Sequence, residues 1–257
     1  MMRLGYCCGP ESVPLLKSVG FDYFEWSVPG LLMPLAEEAA FEAALIRAQT
    51  AALPCEALNV MLPGELKVTG ADVDFAKLEA YAQTMCARAK RAGIARIVFG
   101  SGGARRVPEG FSHVTARGQI VRFLALLGPL ARAAGVTIVV EPLNTQETNI
   151  INSVAEGADI VREVNDPAIR LLADSYHVLV EDEPLDNIVR NLDLIAHAHI
   201  ATREGRLPPG VVPCAGVPLF LKCLRDGGYN GRVSVEGGGF SAPNVRVAQA
   251  ALRLWSM

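Results

Sequence analysis

One pattern recurs along this chain: a helical stretch ends, a glycine follows, and a short apolar run begins. The clearest copies read SVGFDYFEW, RAGIARIVFG, AAGVTIVVEP and DGGYNGRVSVEG, and their glycines are Gly20, Gly93, Gly135 and Gly228. A glycine just past a helix is typical of a C-cap that needs the left-handed conformation. The runs that follow are rich in β-branched and aromatic residues, which favours strands. The pattern therefore predicts alternating helices and strands.

Eight strands are predicted on this basis. They are Arg3–Cys8, Tyr23–Val28, Cys55–Met61, Ile97–Gly100, Val136–Val140, Arg170–Ala173, Ala196–Ile200 and Arg232–Val235. Apolar residues spaced three and four apart predict helices between them. The clearest helices are Glu37–Ala52, Val73–Ala92, Gln119–Ala134 and Ser153–Val164, and Ser153 with Glu156 forms a capping-box pattern at the start of the last one.

Eight such units in 257 residues fit a single (β/α)8 TIM barrel spanning residues 1–257, with its active site at the carboxyl ends of the strands. An open doubly wound sheet is the alternative. However, no GxGxxG motif follows the first strand, and the sequence contains no P-loop. We therefore favour the closed barrel, and we expect no organic cofactor that would need either motif.

Composition limits the partners. The net charge of -3 gives no field that would attract nucleic acid, and no apolar run approaches the ~18 residues needed to cross a bilayer. The first residues also lack the apolar segment of a signal peptide. The six cysteines include no CxxC pair, so neither a thiolate zinc site nor a redox motif is indicated. We expect a cytoplasmic protein that binds neither nucleic acid nor membranes, and a homo-oligomer is left open.

Acidic or imidazole side chains stand where four predicted strands end. These residues are Glu141, Asp174, His199 and Glu236, at strands five to eight. A carboxylate directly after a strand buried on both faces is costly unless it has a partner. Taken alone, Glu141 could be a helix cap and Asp174 could cap the turn before Tyr176. Strand ends converge in a barrel, so the set predicts one site for one divalent metal ion, with Mn²⁺, Mg²⁺, Co²⁺ or Zn²⁺ suited to these oxygen and nitrogen ligands.

The HAHI segment contains two histidines on the same face of a strand. His199 is nearer the strand's end and is the predicted ligand. His197 lies one layer deeper, where it is expected either to pack in the core or to orient the site. His113, which follows a loop, is expected at the surface.

Three polar residues near these ligands are predicted to bind substrate: Glu147, His177 and Arg206. A guanidinium near the metal could hold a hydroxyl, a carbonyl or a developing oxyanion. Arg203 competes for that position. We favour Arg206 because the Pro-Pro-Gly segment just after it would stiffen the turn.

Two further groups of residues have less specific signals. A glycine- and arginine-rich segment could form a phosphate nest, and bulky residues on early strands could wall the mouth of the barrel or simply pack. The first group is Gly102, Gly103, Arg105 and Arg106, and the second is Tyr6, Trp26 and Phe99.

The motifs E-P-L-N, D-x-x-H, H-x-H, R-x-x-P-G and S-V-E, in this order, resemble those of the xylose-isomerase-like TIM-barrel superfamily. Its members include ketose 3-epimerases, hydroxypyruvate isomerases and inosose dehydratases, and the loops after strands three and four resemble the branch called sugar phosphate isomerase/epimerase. The resemblance implies a metal bound by Glu141, Asp174, His199 and Glu236. It implies substrate contacts from Glu147, His177 and Arg206.

The activity implied is that of a divalent-metal-dependent sugar isomerase or epimerase. Such an enzyme would transfer a proton through a metal-stabilised cis-enediolate of a keto-sugar or related polyhydroxy carbonyl compound, with Glu141 and Glu236 as the catalytic acid and base. Loss of a β-hydroxyl instead would make it a dehydratase, and a non-catalytic sugar-binding barrel is a further alternative. The DNA-repair endonucleases of this superfamily hold three zinc ions with many histidines. The four histidines and negative charge of this chain argue against that activity.

Overall fold

Eight parallel strands form a closed barrel in the computed structural model, which describes residues 2–255. Each strand pairs with the next along the chain, and the last pairs with the first. The strands are β1 Arg3–Cys7, β2 Tyr23–Ser27, β3 Cys55–Asn59, β4 Arg96–Phe99, β5 Thr137–Val140, β6 Ile169–Asp174, β7 Ile195–Ile200 and β8 Arg232–Val235. The predicted (β/α)8 barrel is confirmed.

Helices surround this barrel. They are α1 Val13–Val19, α2 Val28–Leu31, α3 Glu38–Gln49, α4 Phe75–Ala92, α5 Gly102–Arg105, α6 His113–Ala134, α7 Val154–Val164, α8 Ser175–Val180, α9 Asp186–Arg190, α10 Gly216–Asp226 and α11 Ala242–Trp255, with a 3₁₀ turn at Pro10–Ser12. Three of the predicted left-handed glycines are the C-caps of α1, α4 and α6. The fourth, Gly228, is also left-handed but lies one residue beyond the cap of α10. Among the helices of residues 2–255, none has both the length and the apolar character needed to cross a membrane.

Some element boundaries differ from the prediction. Strand β3 ends at Asn59 instead of Met61, and Val60 just after it adopts a left-handed φ of 52°. Helix α6 begins six residues earlier than Gln119, because the Ser112 hydroxyl caps it by accepting a hydrogen bond from the Thr115 amide. In α7, Ser153 caps the amide of Glu156 as expected, but the Glu156 carboxylate accepts from Asn152 instead of Ser153.

The interior of the barrel changes from apolar to polar along the strands. Val98, Val139 and Leu172 form a small buried cluster separate from the main core. Side chains two residues apart on a strand share a face. Glu141 and Asp174, two residues beyond Val139 and Leu172, therefore stand above this cluster on the inner face of the barrel.

Two of the three bulky residues considered as walls of the mouth, Tyr6 and Phe99, are packing residues, whereas Trp26 is only partly buried. Tyr6 and Phe99 are fully buried. The ring of Phe99 contacts Phe123 of α6, and the ring of Tyr6 contacts those of Phe21 and Phe240. Both side chains therefore pack in the hydrophobic core, which is the second of the two roles considered from the sequence.

Candidate metal and substrate site

The four side chains predicted as metal ligands meet at the carboxyl end of the barrel. One donor atom from each of Glu141, Asp174, His199 and Glu236 lies within 4.8 Å of all the others. Asp174 and His199 belong to the last residues of β6 and β7, while the two glutamates directly follow β5 and β8. The Nδ1 atom of His199 lies 3.0 Å from Glu141 Oε1 and 3.4 Å from Glu236 Oε2. The fold thus gathers these groups, and their role as ligands stays a prediction.

The hydrogen bonds of Asp174 show that this group suits a cation. Its Oδ1 accepts from the Tyr176 amide at 2.8 Å, which is the capping role considered from the sequence. Its Oδ2 is buried and has no hydrogen-bond partner among the described residues. A buried carboxylate oxygen without a donor is costly. A divalent ion bound by three carboxylates and an imidazole would satisfy it, since these are ordinary ligands for such ions.

Burial and mutual repulsion perturb the acids of this group. Burial, with the nearby charge of Glu141, raises the pKa of Asp174 from its usual 3.8 to about 7. Burial and Glu236 also raise the pKa of Glu141. Burial would raise the pKa of Glu236 too, but His199 and Arg206 lower it to about 2. For His199, burial is outweighed by the surrounding carboxylates, so its pKa lies well above the usual value.

A fully buried carboxylate, Glu25 on β2, lies directly beneath this group. Its Oε1 is 3.0 Å from His199 Nε2, and its Oε2 is 2.8 Å from His197 Nε2 and 2.6 Å from the Ser234 hydroxyl. Burial would raise the pKa of Glu25, but the two histidines hold it well below its usual range. Sequence reasoning missed this residue. The available signal was a lone charge inside the otherwise apolar strand YFEW.

Arg206 crosses from the substrate side of the site to the metal side. Its guanidinium donates to Glu147 Oε1 at 3.0 Å and to Glu236 Oε2 at 2.7 Å. The competing residue, Arg203, is exposed and pairs with Asp182. The structure therefore brings Arg206, and not Arg203, to the predicted ligands.

The backbone of Arg206 is fixed by the loop after β8. Its φ is 48°, and its carbonyl oxygen accepts from the Gly238 amide at 2.8 Å. A Cβ atom at Gly237 would lie only 2.7 Å from that same oxygen. Only glycine fits so close to the neighbouring backbone, so the seventh and eighth loops are held together.

His177 is held by Asn144, the asparagine of the E-P-L-N motif. The Nδ1 atom of His177 accepts from the backbone amide of Asn144 at 3.0 Å. Burial and the charge of Arg206 lower the pKa of His177 to about 3, so the ring is neutral and its proton lies on Nε2. That Nε2 is buried without a partner among the described residues and lies 3.6 Å from Asp174 Oδ2. Asn144 also donates to Glu147 Oε1 at 3.1 Å, so it positions two of the three predicted substrate residues.

A cavity of about 360 Å³ opens in front of the two glutamates, Glu141 and Glu236, and it is not lined by Asp174, His177 or His199. Glu141, Glu147, Arg206 and Glu236 line one side of it, and the loops after β3 and β4 line the other. Asn59, at the end of β3, also lines it and donates to Glu236 Oε1 at 3.0 Å. The volume lies within the range of small-molecule sites, which begins at about 300 Å³.

The two arginines considered for a phosphate nest donate to backbone carbonyl oxygens, Arg105 to Phe99 and Glu141 and Arg106 to Gln146. Arg105 is fully buried and donates to the carbonyl oxygens of Phe99 at 3.1 Å and of Glu141 at 2.7 Å. A Cβ atom at Gly102 would lie 2.9 Å from the carbonyl oxygen of Glu147. Arg105 therefore braces the backbone that carries Glu141, and its guanidinium is not free for a phosphate. His113 is exposed, as expected.

The sequence model described as "Xylose isomerase-like TIM barrel" matches residues 13–256. The chain belongs to this family. The resemblance inferred from the motifs is thus confirmed.

Two curated proteins of related sequence are sugar epimerases by name. The D-psicose 3-epimerase of Ruminiclostridium cellulolyticum is 29% identical over 124 residues, covering 46% of this chain and 41% of that protein. The 3-dehydro-D-guloside 4-epimerase of Escherichia coli is 31% identical over 115 residues, covering 44% of this chain and 43% of that protein. The chain thus spans about two fifths of the length of these relatives.

Solved structures of the family share the whole fold at lower identity. A D-psicose 3-epimerase with D-tagatose, from Clostridium cellulolyticum H10, has a TM-score of 0.81 at 20% identity, covering 99% of this chain and 98% of that one. An IOLI protein with a binding zinc atom has a TM-score of 0.75 at 17% identity, covering 99% of this chain and 98% of that one. At these identities the likeness establishes the fold.

Proposed function

We propose that this family member is a divalent-metal-dependent sugar epimerase or isomerase. Its substrate would be a keto-sugar or a related polyhydroxy carbonyl compound, and its reaction a proton transfer at a carbon next to the carbonyl. The observation that carries this proposal is the placement of two glutamates, Glu141 and Glu236, on one small cavity and beside the same histidine nitrogen. Family membership and the names of the related epimerases support it.

The proposed metal ligands are Glu141, Asp174, His199 and Glu236. The unpartnered Oδ2 of Asp174 and the mixed oxygen and nitrogen donors support this assignment. A bound divalent ion supplies Lewis acidity and positive charge, which lower the pKa of a C–H group next to the substrate carbonyl.

The chain's own carboxylates would then move the proton. One of Glu141 and Glu236 removes it from the carbon, and the electron pair passes into the carbonyl to give an enediolate. Return of a proton from the other glutamate inverts the carbon, which is epimerisation. Return to the neighbouring carbon instead gives isomerisation between aldose and ketose.

The remaining polar residues would hold the substrate. His177 does not line the cavity, but it carries its hydrogen on Nε2, 3.6 Å from Asp174 Oδ2, where an oxygen of a substrate bound at the metal would accept it. Arg206 brings positive charge beside Glu236, where it can stabilise negative charge on the substrate. Glu147 is tied to Arg206 and can accept a hydrogen bond from a sugar hydroxyl.

Exchange of substrate C–H for deuterium from solvent tests this proposal. The assay uses Mn²⁺-loaded protein, a panel of free and phosphorylated keto-sugars, and mass detection. We expect exchange with at least one sugar, and near abolition of it in Glu141→Gln and Glu236→Gln, because each loses a carboxylate that can act as base.

Glu163→Gln is the matched control. Glu163 is a partly exposed carboxylate on α7 that pairs with Arg117 and belongs neither to the cavity lining nor to the predicted metal ligands, and its loss should leave exchange unchanged. If metal-loaded wild-type protein binds a sugar but exchanges no proton with any member of the panel, the enzyme assignment is refuted in favour of a sugar-binding barrel.

A further inference from the structure

Glu25 is the centre of a polar group sealed inside the barrel. Glu25, His197, His199 and Ser234 each have a relative exposure of 0%. The hydroxyl of Tyr23, which is equally buried, lies 2.8 Å from that of Ser234. None of the five lines the cavity in front of the metal group. Glu25 therefore acts on the site through its neighbours and does not touch a substrate.

The direction of each hydrogen bond in this group follows from the chemistry of a carboxylate. An ionised carboxylate only accepts hydrogen bonds. The Nε2 atoms of both histidines and the hydroxyl of Ser234 must therefore all donate to Glu25, at 2.6 to 3.0 Å. Since the hydrogen of Ser234 is used in this way, the Tyr23 hydroxyl donates to Ser234.

This arrangement decides which nitrogen of His199 can bind a metal. With a hydrogen held on Nε2, only Nδ1 can offer a lone pair. Nδ1 is also the nitrogen that faces the acids, at 3.0 Å from Glu141 and 3.4 Å from Glu236. One carboxylate below the ring thus fixes both its proton and its orientation.

We propose that Glu25 is a positioning residue for the metal centre, which keeps the Nε2 hydrogen on His199 and so presents Nδ1 as the ligand. The inference rests on the metal site of the proposed function. Carboxylates that orient a ligating histidine typically change metal affinity about 10- to 100-fold when they are removed. The buried position of Glu25 is expensive for a charge, and its three donors make it tolerable.

Zinc binding by the full chain tests this role without any sugar. Metal-free protein is titrated with Zn²⁺ in competition with a coloured chelator. Glu25→Gln should bind Zn²⁺ about 10- to 100-fold more weakly. The three neighbours of this side chain all donate hydrogen bonds, whereas the glutamine amide has only one accepting oxygen and an NH₂ group that itself donates. One imidazole must therefore rotate or move its hydrogen to the other ring nitrogen.

Tyr23→Phe is the control for stability. It removes a hydrogen bond from the same buried group without touching either histidine, so it should lower the melting temperature and leave zinc affinity unchanged. A second measurement needs no variant at all. In ¹⁵N–¹H spectra of the zinc-loaded wild type, the His199 ring should carry its hydrogen on Nε2.

Two results would overturn the role of Glu25 alone. One is zinc affinity in a folded Glu25→Gln protein that stays within about threefold of the wild type, below the about tenfold minimum expected for such a partner. The other is a wild-type His199 that carries its hydrogen on Nδ1 with zinc bound. If the wild type binds no zinc or other divalent ion, the proposed function fails, and the inference fails with it.

Discussion

The raised pKa of Asp174 predicts how the stability of the metal-free protein depends on pH. In the unfolded chain this acid ionises near 3.8, whereas in the fold its pKa is about 7. Between these values the folded protein holds a proton that the unfolded chain has lost. Stability from this group is therefore fully present below the unfolded pKa and is lost as the pH rises through the folded one. The shift corresponds to a total on the order of 4 kcal/mol, of which about 3 kcal/mol falls between pH 5 and pH 8.

Asp174→Asn isolates this contribution. Asparagine keeps the Oδ1 acceptor for the Tyr176 amide and removes the titration. The free energy of unfolding is measured in urea for both metal-free proteins at pH 5 and pH 8. We expect the value for the wild type, minus that for the variant, to fall by about 3 kcal/mol over this range. The subtraction removes the contributions of all groups whose pKa the substitution leaves unchanged.

A matched control is Asp182→Asn. Asp182 is exposed, and its hydrogen bond to Arg203 lowers its pKa, so its contribution is lost only as the pH falls and should be flat from pH 5 to pH 8. Saturating Mn²⁺ should abolish the slope for Asp174, because the ion would replace the proton. A difference that does not change with pH in the metal-free protein would refute the argument that burial, with the charge of Glu141, raises the pKa of Asp174.

Two further outcomes are expected. Dialysis against a chelator should lower the melting temperature, and readdition of Mn²⁺ should restore it. An ion at 100 times its dissociation constant adds about 2.7 kcal/mol to the free energy of unfolding. A melting temperature that neither step changes would argue against the metal site. Arg206→Ala should reduce kcat/KM by about 100-fold, as for removal of one oxyanion donor, which is less than the loss in Glu141→Gln or Glu236→Gln. The kcat/KM of Arg203→Ala should stay near that of the wild type, because Arg203 only forms an exposed ion pair with Asp182, and such pairs contribute at most about 1 kcal/mol. The reverse order of the two arginine variants in steady-state assays would show that the wrong arginine was assigned.

Four of the strands could be predicted because each is a short run of apolar residues that follows a glycine, as in Val136–Val140. The gathering of Glu141 and Asp174 could be predicted for a related reason, since parallel strands in a barrel end on one face. Glu25 could not be placed in the same way. Its partners come from β7 and β8, and the irregular register between β2 and β3 at Phe24 and Glu25 is not visible in a sequence.

Arg105 shows a different limit. A guanidinium next to glycines has the composition of an anion site, and nothing in the sequence tells whether it turns outward to a ligand or inward to carbonyl groups. The structure turns it inward, where the carbonyl oxygens of Phe99 and Glu141 accept its hydrogen bonds. The direction in which the Arg105 side chain points thus depends on packing, and the sequence alone does not predict it.

The close contact between Gly237 and the Arg206 carbonyl has a consequence for the evolution of new specificities. Because Gly237 has no room for a side chain, the wall of the cavity formed by Arg206 and Glu236 tolerates little change in sequence. One position on the opposite wall is open: Gly64 lines the cavity, and a Cβ atom added there would meet nothing within 4 Å. Libraries for laboratory evolution should therefore vary Gly64, where new side chains can reshape the substrate's surroundings while the reacting groups stay in place.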